Sequence, residues 1–221
     1  MSTVIDLSQE IVTGMQVFAL HSPTHVLPWA NRSAYGFQSE AIFCNSHAGT
    51  HVDAPIHFLK DGPPIDELPL DRFFGPAVVH DLSHLAARSH ISAADLRRCA
   101  EQGAAPQAGD FVLLRTGIDV QLGRPEYLTE YSGLSEEGAT YLADLGVKGV
   151  GTDAAGIDAP DAVTCPAHHV LLPRGIVVFE NLACLDELHR AAGGRRFSFH
   201  ALPLRIKGAS GSPVRAMAIL E

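Results

Sequence analysis

Cationic residues are scarce in this sequence. Its 221 residues include 16 Lys and Arg against 25 Asp and Glu, a formal net charge of -9. A surface of that sign excludes nonspecific binding to nucleic acid or to an anionic membrane. It does not restrict a small substrate, because a bound metal inverts the local field. Charged residues of all kinds make up only 19% of the chain and hydrophobic ones 46%, a balance that excludes intrinsic disorder. No apolar run approaches the ~20 residues that cross a membrane. The first residues carry Asp6 and Glu10 where a secretion signal has a basic head and an apolar run. Cysteine is also sparse: Cys44, Cys99, Cys165 and Cys184 are widely spaced, with no C-x-x-C pair. A chain of this length needs no disulfides for stability, so reduced thiols in a cytoplasmic protein are expected.

Histidine is plentiful, with 12 copies, five of them in two groups at positions 47–57 and 168–169. The first group reads His47-Ala-Gly-Thr-His51-Val-Asp53-Ala-Pro-Ile-His57. Its four ligand-type side chains cannot share a helical face, because Asp53 would lie far around the cylinder from His47 and His51. All four positions are odd, so a strand would put them on one side but spread them over roughly 33 Å. The chain must therefore bend. Gly49 permits a sharp turn, and Pro55 holds Ala54 extended. Imidazole nitrogen and carboxylate oxygen are the usual ligands of zinc and similar divalent cations. Zinc-finger spacing is absent, which points away from a purely structural ion.

The second group, His168-His169, precedes a Pro-Arg-Gly turn and the apolar run Ile176 to Phe179, which ends in Glu180. A carboxylate at the end of such a run needs a cationic partner, either an arginine or a metal.

Along the rest of the chain, a single α/β domain spanning residues 1–221 with a mixed sheet is expected. Strands are predicted at the N-terminus (Met1 to Val12), around Ala77 to Val79, and over Asp110 to Arg115, Val147 to Asp153, Ile176 to Glu180, Phe197 to Leu204 and Val214 to Leu220. Helices are predicted from Ser92 to Gln102, with Ser92 as the N-cap, and from Ser135 to Leu145, with acidic residues in its first turn. Residues 13–40 read as irregular. Phe43, Phe58, Phe73 and Trp29 are candidates for an aromatic-accepting pocket, although core packing suits most of them better. His80 and His84 flank Asp81 and read as a satisfied sheet edge. Gly149 to Ala154 superficially fits a dinucleotide fingerprint, but Gly156 and Pro160 follow at once and no helix opens there. Gly208 to Ser212 lacks the last glycine of a serine-hydrolase elbow.

The segment His-x-Gly-Thr-His-x-Asp-x-Pro-x-His resembles the signature of the cyclase-like metal hydrolases, a family that includes bacterial kynurenine formamidase and isatin hydrolase. Asp6-Leu-Ser, Gly14-Met15, Gly151-Thr-Asp153, the stretch from His168 to Glu180 and Ser212-Pro-Val-Arg215 match further family features in the same order. The resemblance implies a swivelling β/β/α fold and a homodimer or larger homo-oligomer. It implies one zinc or manganese ion on His47, His51 and Asp53. In formamidase-like members His57, His168 and Glu180 would hold a second ion with Asp53 bridging. In isatin hydrolase-like members one ion suffices and His57 is free to carry a proton. His57 and His168 are then the catalytic candidates. The implied reaction is hydrolysis of a C–N bond in a small amide, first of all an aryl formamide. A lactam or lactone is the alternative, and a cyclase, a dehydratase or a non-catalytic binding protein lies further off. The sequence departs from the formamidase pattern at Ala155-Gly156, where those members carry Pro-Ser, so a hydroxyl that could support the site is missing here.

Overall fold

The computed structural model describes residues 2–221, and Met1 of the N-terminal strand expectation lies outside them. Thirteen strands form in chain order: β1 (Thr3–Asp6), β2 (His25–Ala30), β3 (Ser39–Phe43), β4 (His51–Asp53), β5 (Phe74–Asp81), β6 (His90–Ile91), β7 (Phe111–Arg115), β8 (Gly133–Leu134), β9 (Gly149–Thr152), β10 (Val177–Glu180), β11 (Phe197–His200), β12 (Gly211–Pro213) and β13 (Met217–Leu220). Five α-helices accompany them: α1 (Arg32–Tyr35), α2 (Ala93–Gln102), α3 (Glu136–Asp144), α4 (Pro166–Leu171) and α5 (Leu185–Ala192).

Nine strands make one mixed sheet in the order β1-β13-β11-β5-β7-β9-β10-β4-β12. Its centre, β5-β7-β9-β10, is parallel, and the strands beyond it on both sides are antiparallel. The central strands read as continuous apolar runs because both faces are covered. One face packs Phe111, Leu113, Val177 and Phe179 against Leu185, Leu188 and Ala192 of α5. The other packs Val78, Val112, Val150 and Val178 against Leu96 of α2, Leu142 of α3 and Ala167 and Leu171 of α4. This is the α/β architecture expected from the sequence. No helix among the described residues is long and apolar enough to cross a membrane.

The predicted helices start where their caps place them. Ser92 closes a capping box with Asp95 on α2, and Ser135 accepts from Gly138 N at the start of α3. Two expectations need correction. Residues 13–40 are not wholly irregular, since β2 pairs with β3 in a hairpin. Nor is His80 satisfied. Strand β5 pairs with β7 from Ala77 to Asp81, whereas β11 covers only Phe74 to Ala77, so at His80 the ladder continues on the β7 side alone. His80 is buried, and neither ring nitrogen finds a hydrogen-bond partner. Burial pushes its imidazole down to about 4.

Two unpaired buried ring nitrogens are a liability of about 1–3 kcal/mol. His80→Leu should therefore raise the melting temperature by roughly 2–8 °C at neutral pH, read by calorimetry. The unfolded chain protonates near 6.5 and the folded one only near 4, so the wild type loses stability as pH falls through that window. The leucine variant should lose less over the same range. An unchanged or lower melting temperature would show that His80 has a partner in solution.

Candidate metal centre and its cavity

The bend required by the spacing of His47 to His57 is built from three local pieces. His47 sits in a turn started by Asn45, whose side chain accepts from His47 N at 2.9 Å. Gly49 follows in the left-handed region, φ +60°, with the Met15 side chain 3.0 Å from where a Cβ would lie. Strand β4 then runs between β10 and β12, with His51 opposite Glu180. Alternation places His51 and Asp53 on one face and Val52 in the core. Past Ala54 the chain enters a 3-10 turn, Pro55–His57, which swings His57 back beside His47. Those two rings stack at 4.1 Å between centroids.

Asp53 is the hub of the cluster and is fully buried. His47 Nδ1 lies 2.7 Å and His51 Nε2 3.4 Å from its Oδ1, and His168 Nε2 lies 3.2 Å from its Oδ2. Glu180, at the end of β10, stands opposite: His51 Nε2 is 3.5 Å from Oε2 and His168 Nε2 is 3.4 Å from Oε1. The cationic partner that Glu180 requires is thus supplied by imidazoles and not by an arginine. Ile157 N donates to Glu180 Oε1 at 2.7 Å.

All six ligand-type residues anticipated from the sequence converge here. His169, by contrast, is exposed on the outer face of α4. Two subsets could each close around a cation: His47, Asp53 and His57, and His51, Asp53 and Glu180, their ligand atoms within 4.8 Å of one another in each. Asp53 belongs to both, as a bridging carboxylate would. The partition differs from the expected one, which grouped His51 with His47 and placed Glu180 with His57 and His168.

The electrostatics fit a divalent ion. Burial would raise both carboxyls, but hydrogen bonds from His168, His47 and His51 outweigh it at Asp53 and hold that group well below the usual range. Glu180 is pushed up by burial and by the charge of Asp53, yet His168 and His51 hold it down at about 2. Burial alone would lower His51, but Asp53 and Glu180 keep its imidazolium up at about 10. His168 is likewise held well above its ordinary value, against burial, by Asp158, Asp53 and Glu180. Two buried anions are therefore balanced by protons on two imidazoles, and a divalent cation of N/O preference supplies the same charge while releasing those protons.

His168 has a second partner that sequence reasoning did not single out. Asp158 Oδ2 accepts from its Nδ1 at 2.5 Å, which turns Nε2 toward Asp53 and Glu180. The other Asp158 oxygen accepts from Ala167 N at 2.6 Å, at the start of α4. Carboxylate–imidazole pairs of this kind fix the tautomer and direction of a metal-binding histidine. Asp158 lies ten residues from His168, with no periodicity to reveal the pairing.

A cavity of about 310 Å³ opens over the cluster. Its floor is His47, His51, His57, His168 and Glu180, and its walls include Phe18, His21, Phe58, Tyr131, Pro160 and Cys165. No lysine or arginine lines it. Phe58 stacks on His168 at 4.3 Å between ring centroids. Trp29 and Phe43 do not line it, because both lie exposed on the β2–β3 hairpin, and Phe73 is core. Asp153, part of the Gly151-Thr-Asp153 feature, stands apart from the cluster and accepts from Thr116 and Gly117.

The profile of the putative cyclase family matches residues 5–159. The kynurenine formamidase of Salinibacter ruber is 39% identical over 176 residues, 78% of this chain and 76% of that protein. That of Bacillus cereus is 31% identical over 215 residues, covering 96% of this chain and 95% of its own. Isatin hydrolase A from Labrenzia aggregata, solved with benzyl benzoate bound, superposes with a TM-score of 0.91 at 25% identity, over 99% of this chain and 94% of that one.

Proposed function

This chain belongs to the putative cyclase family, and from that premise we propose that it is a metal-dependent hydrolase that opens the C–N bond of a small aromatic amide, with a lactam of the isatin type as its substrate class. The observation that carries this is the sharing of buried Asp53 and Glu180 among imidazoles on the floor of a cavity of small-ligand size. His47, His51, Asp53, His57, His168 and Glu180 would hold zinc or manganese, as one ion or two sharing Asp53. When bound, the ion lowers the pKa of water and polarises the amide carbonyl. The chain's own residues do the rest. Phe58, Phe18 and Pro160 exclude water and take an aromatic ring, and with a single ion bound elsewhere in the cluster His57, on the cavity floor beside His47, would be free to take up a proton and hand it to the leaving nitrogen.

Both isatin and N-formylkynurenine carry an acylated ring nitrogen with a ketone on the adjacent ring carbon. N-formylkynurenine adds a charged amino-acid tail, and a cavity without lysine or arginine offers its carboxylate no partner. That observation, with the close superposition on isatin hydrolase, favours the lactam over the aryl formamide. The deciding experiment is turnover of both compounds with elemental analysis before and after chelation. Hydrolysis of isatin should fall to background with the chelator, return with zinc or manganese, and exceed that of N-formylkynurenine. Chelator-insensitive turnover, or a metal-loaded protein that opens neither compound, would sink the proposal.

A cytoplasmic site of action is supported by four free cysteines. We also propose a homodimer. Leu27, Trp29, Tyr35, Phe37, Ile42 and Phe43 stand exposed on and beside a hairpin that pairs with no other strand, an apolar patch that a second copy would cover. Light scattering should give twice the mass of one chain, and Trp29→Asp combined with Ile42→Asp should give a monomer. A wild-type monomer at micromolar concentration contradicts the dimer.

A further inference from the structure

Tyr131 is buried in a wall of the cavity, 3% exposed, yet its hydroxyl has no hydrogen-bond partner among the described residues. The other buried side chains lining the cavity that can donate, His47, His51 and His168, are all engaged with carboxylates. The ring is held by packing on Tyr127, Ala154 and Ala155. The backbone just after it is clamped: Leu134 N donates to Ile157 O at 2.7 Å, and Leu134 bridges to Asp158. That clamp tolerates nothing larger than Gly133, where a Cβ would lie 2.2 Å from Ala159 N. The hydroxyl itself lies over Gly156, 2.8 Å from where a Cβ would stand. The missing side chain at Gly156 is what leaves room for this phenol to reach across from another segment.

We infer that the Tyr131 hydroxyl is a specificity-determining donor that reads the ketone oxygen beside the scissile amide nitrogen of the substrate. This rests on the proposed function for the substrate class. A phenol with no protein partner relies on cavity water. A ring that fills the cavity displaces that water, so the ligand must bring an acceptor or leave a buried donor unpaired. Sites built this way reject analogues that lack the matching group more strongly than any apolar wall does. Burial, with the charges of Glu180 and Asp158 nearby, pushes the phenol up, so it stays a donor throughout the working range.

The test pairs compounds that differ only in the ketone. Formanilide and its 2-acetyl derivative report turnover, and aniline and 2-aminoacetophenone, which have no bond to hydrolyse, report binding by calorimetry. Wild-type protein should prefer the ketone in each pair by about tenfold, in kcat/KM and in affinity. Tyr131→Phe should erase that preference by weakening the ketone compounds alone, with melting temperature and metal content unchanged. Gly156→Ala, which crowds the hydroxyl, should do the same from the other side. A preference that survives in Tyr131→Phe, or none in the wild type, overturns the assignment. If wild-type protein hydrolyses neither anilide, turnover of isatin still decides the proposed function, and the binding pair decides the role of Tyr131.

Discussion

Asp53→Ala should cost at least about a thousandfold in kcat and should empty the site of metal, since the ion is asked for several kcal/mol of barrier lowering and each 1.36 kcal/mol is tenfold in rate. Its two oxygens meet His47, His51 and His168, and it belongs to two of the three subsets able to close around an ion. Asp53→Asn is the sharper variant, because it keeps the shape of the side chain and removes the charge. Glu180 is then the only carboxylate facing the Nε2 atoms of His51 and His168, which weakens the hold on a divalent cation without opening a cavity. Both variants should still unfold cooperatively, because Val52 and Ala54 on either side carry the packing of β4. Elemental analysis and steady-state kinetics on the same preparation decide the matter. Full turnover in a folded Asp53→Asn protein would place the chemistry elsewhere.

Much of this centre was legible in the residues themselves. Four odd-numbered ligand positions with Gly49 and Pro55 between them force a bend, and the fold realises it with only His51 and Asp53 on the strand and His47 and His57 brought in by turns. The helix starts at Ser92 and Ser135 were legible because capping is local chemistry. What escaped depends on pairing between distant segments. His80 read as satisfied because its burial and its lack of partners depend on what packs over β5, which the strand's own sequence does not reveal. The β2–β3 hairpin escaped because apolar side chains such as Leu27, Trp29 and Ile42 stay exposed and Pro28 interrupts the strand, so no buried alternation marks it. Tyr131 and Asp158 escaped for a common reason. Each acquires its meaning from the short clamp between Leu134 and the segment at Ile157 and Asp158, which sets the phenol over Gly156 and the carboxylate behind His168.

That clamp makes Asp158 the next position to test. Its carboxylate keeps one His168 proton on Nδ1, so that Nε2, which faces Asp53 and Glu180, is the nitrogen that would give up its proton and offer a lone pair to a cation. Asp158→Asn puts an amide there. If the amide oxygen faces His168 the tautomer survives without its charged support. If the amide nitrogen faces it, Nδ1 becomes the acceptor and the proton moves to Nε2, the wrong side for binding a cation. Either outcome should lower metal affinity and kcat/KM by about 10- to 100-fold, the usual cost of losing such a support. Asp158→Ala removes in addition the acceptor for Ala167 N at the start of α4, and should cost about 1 kcal/mol of stability on top. The comparison separates the roles. A residue that merely capped the helix would lose stability in Asp158→Ala and leave metal affinity intact in both variants, whereas the positioning role predicts weakened affinity in Asp158→Asn at nearly unchanged melting temperature. Competition with a coloured chelator measures the affinity directly, and wild-type affinity in Asp158→Asn would show that packing against Phe58 alone orients the His168 ring.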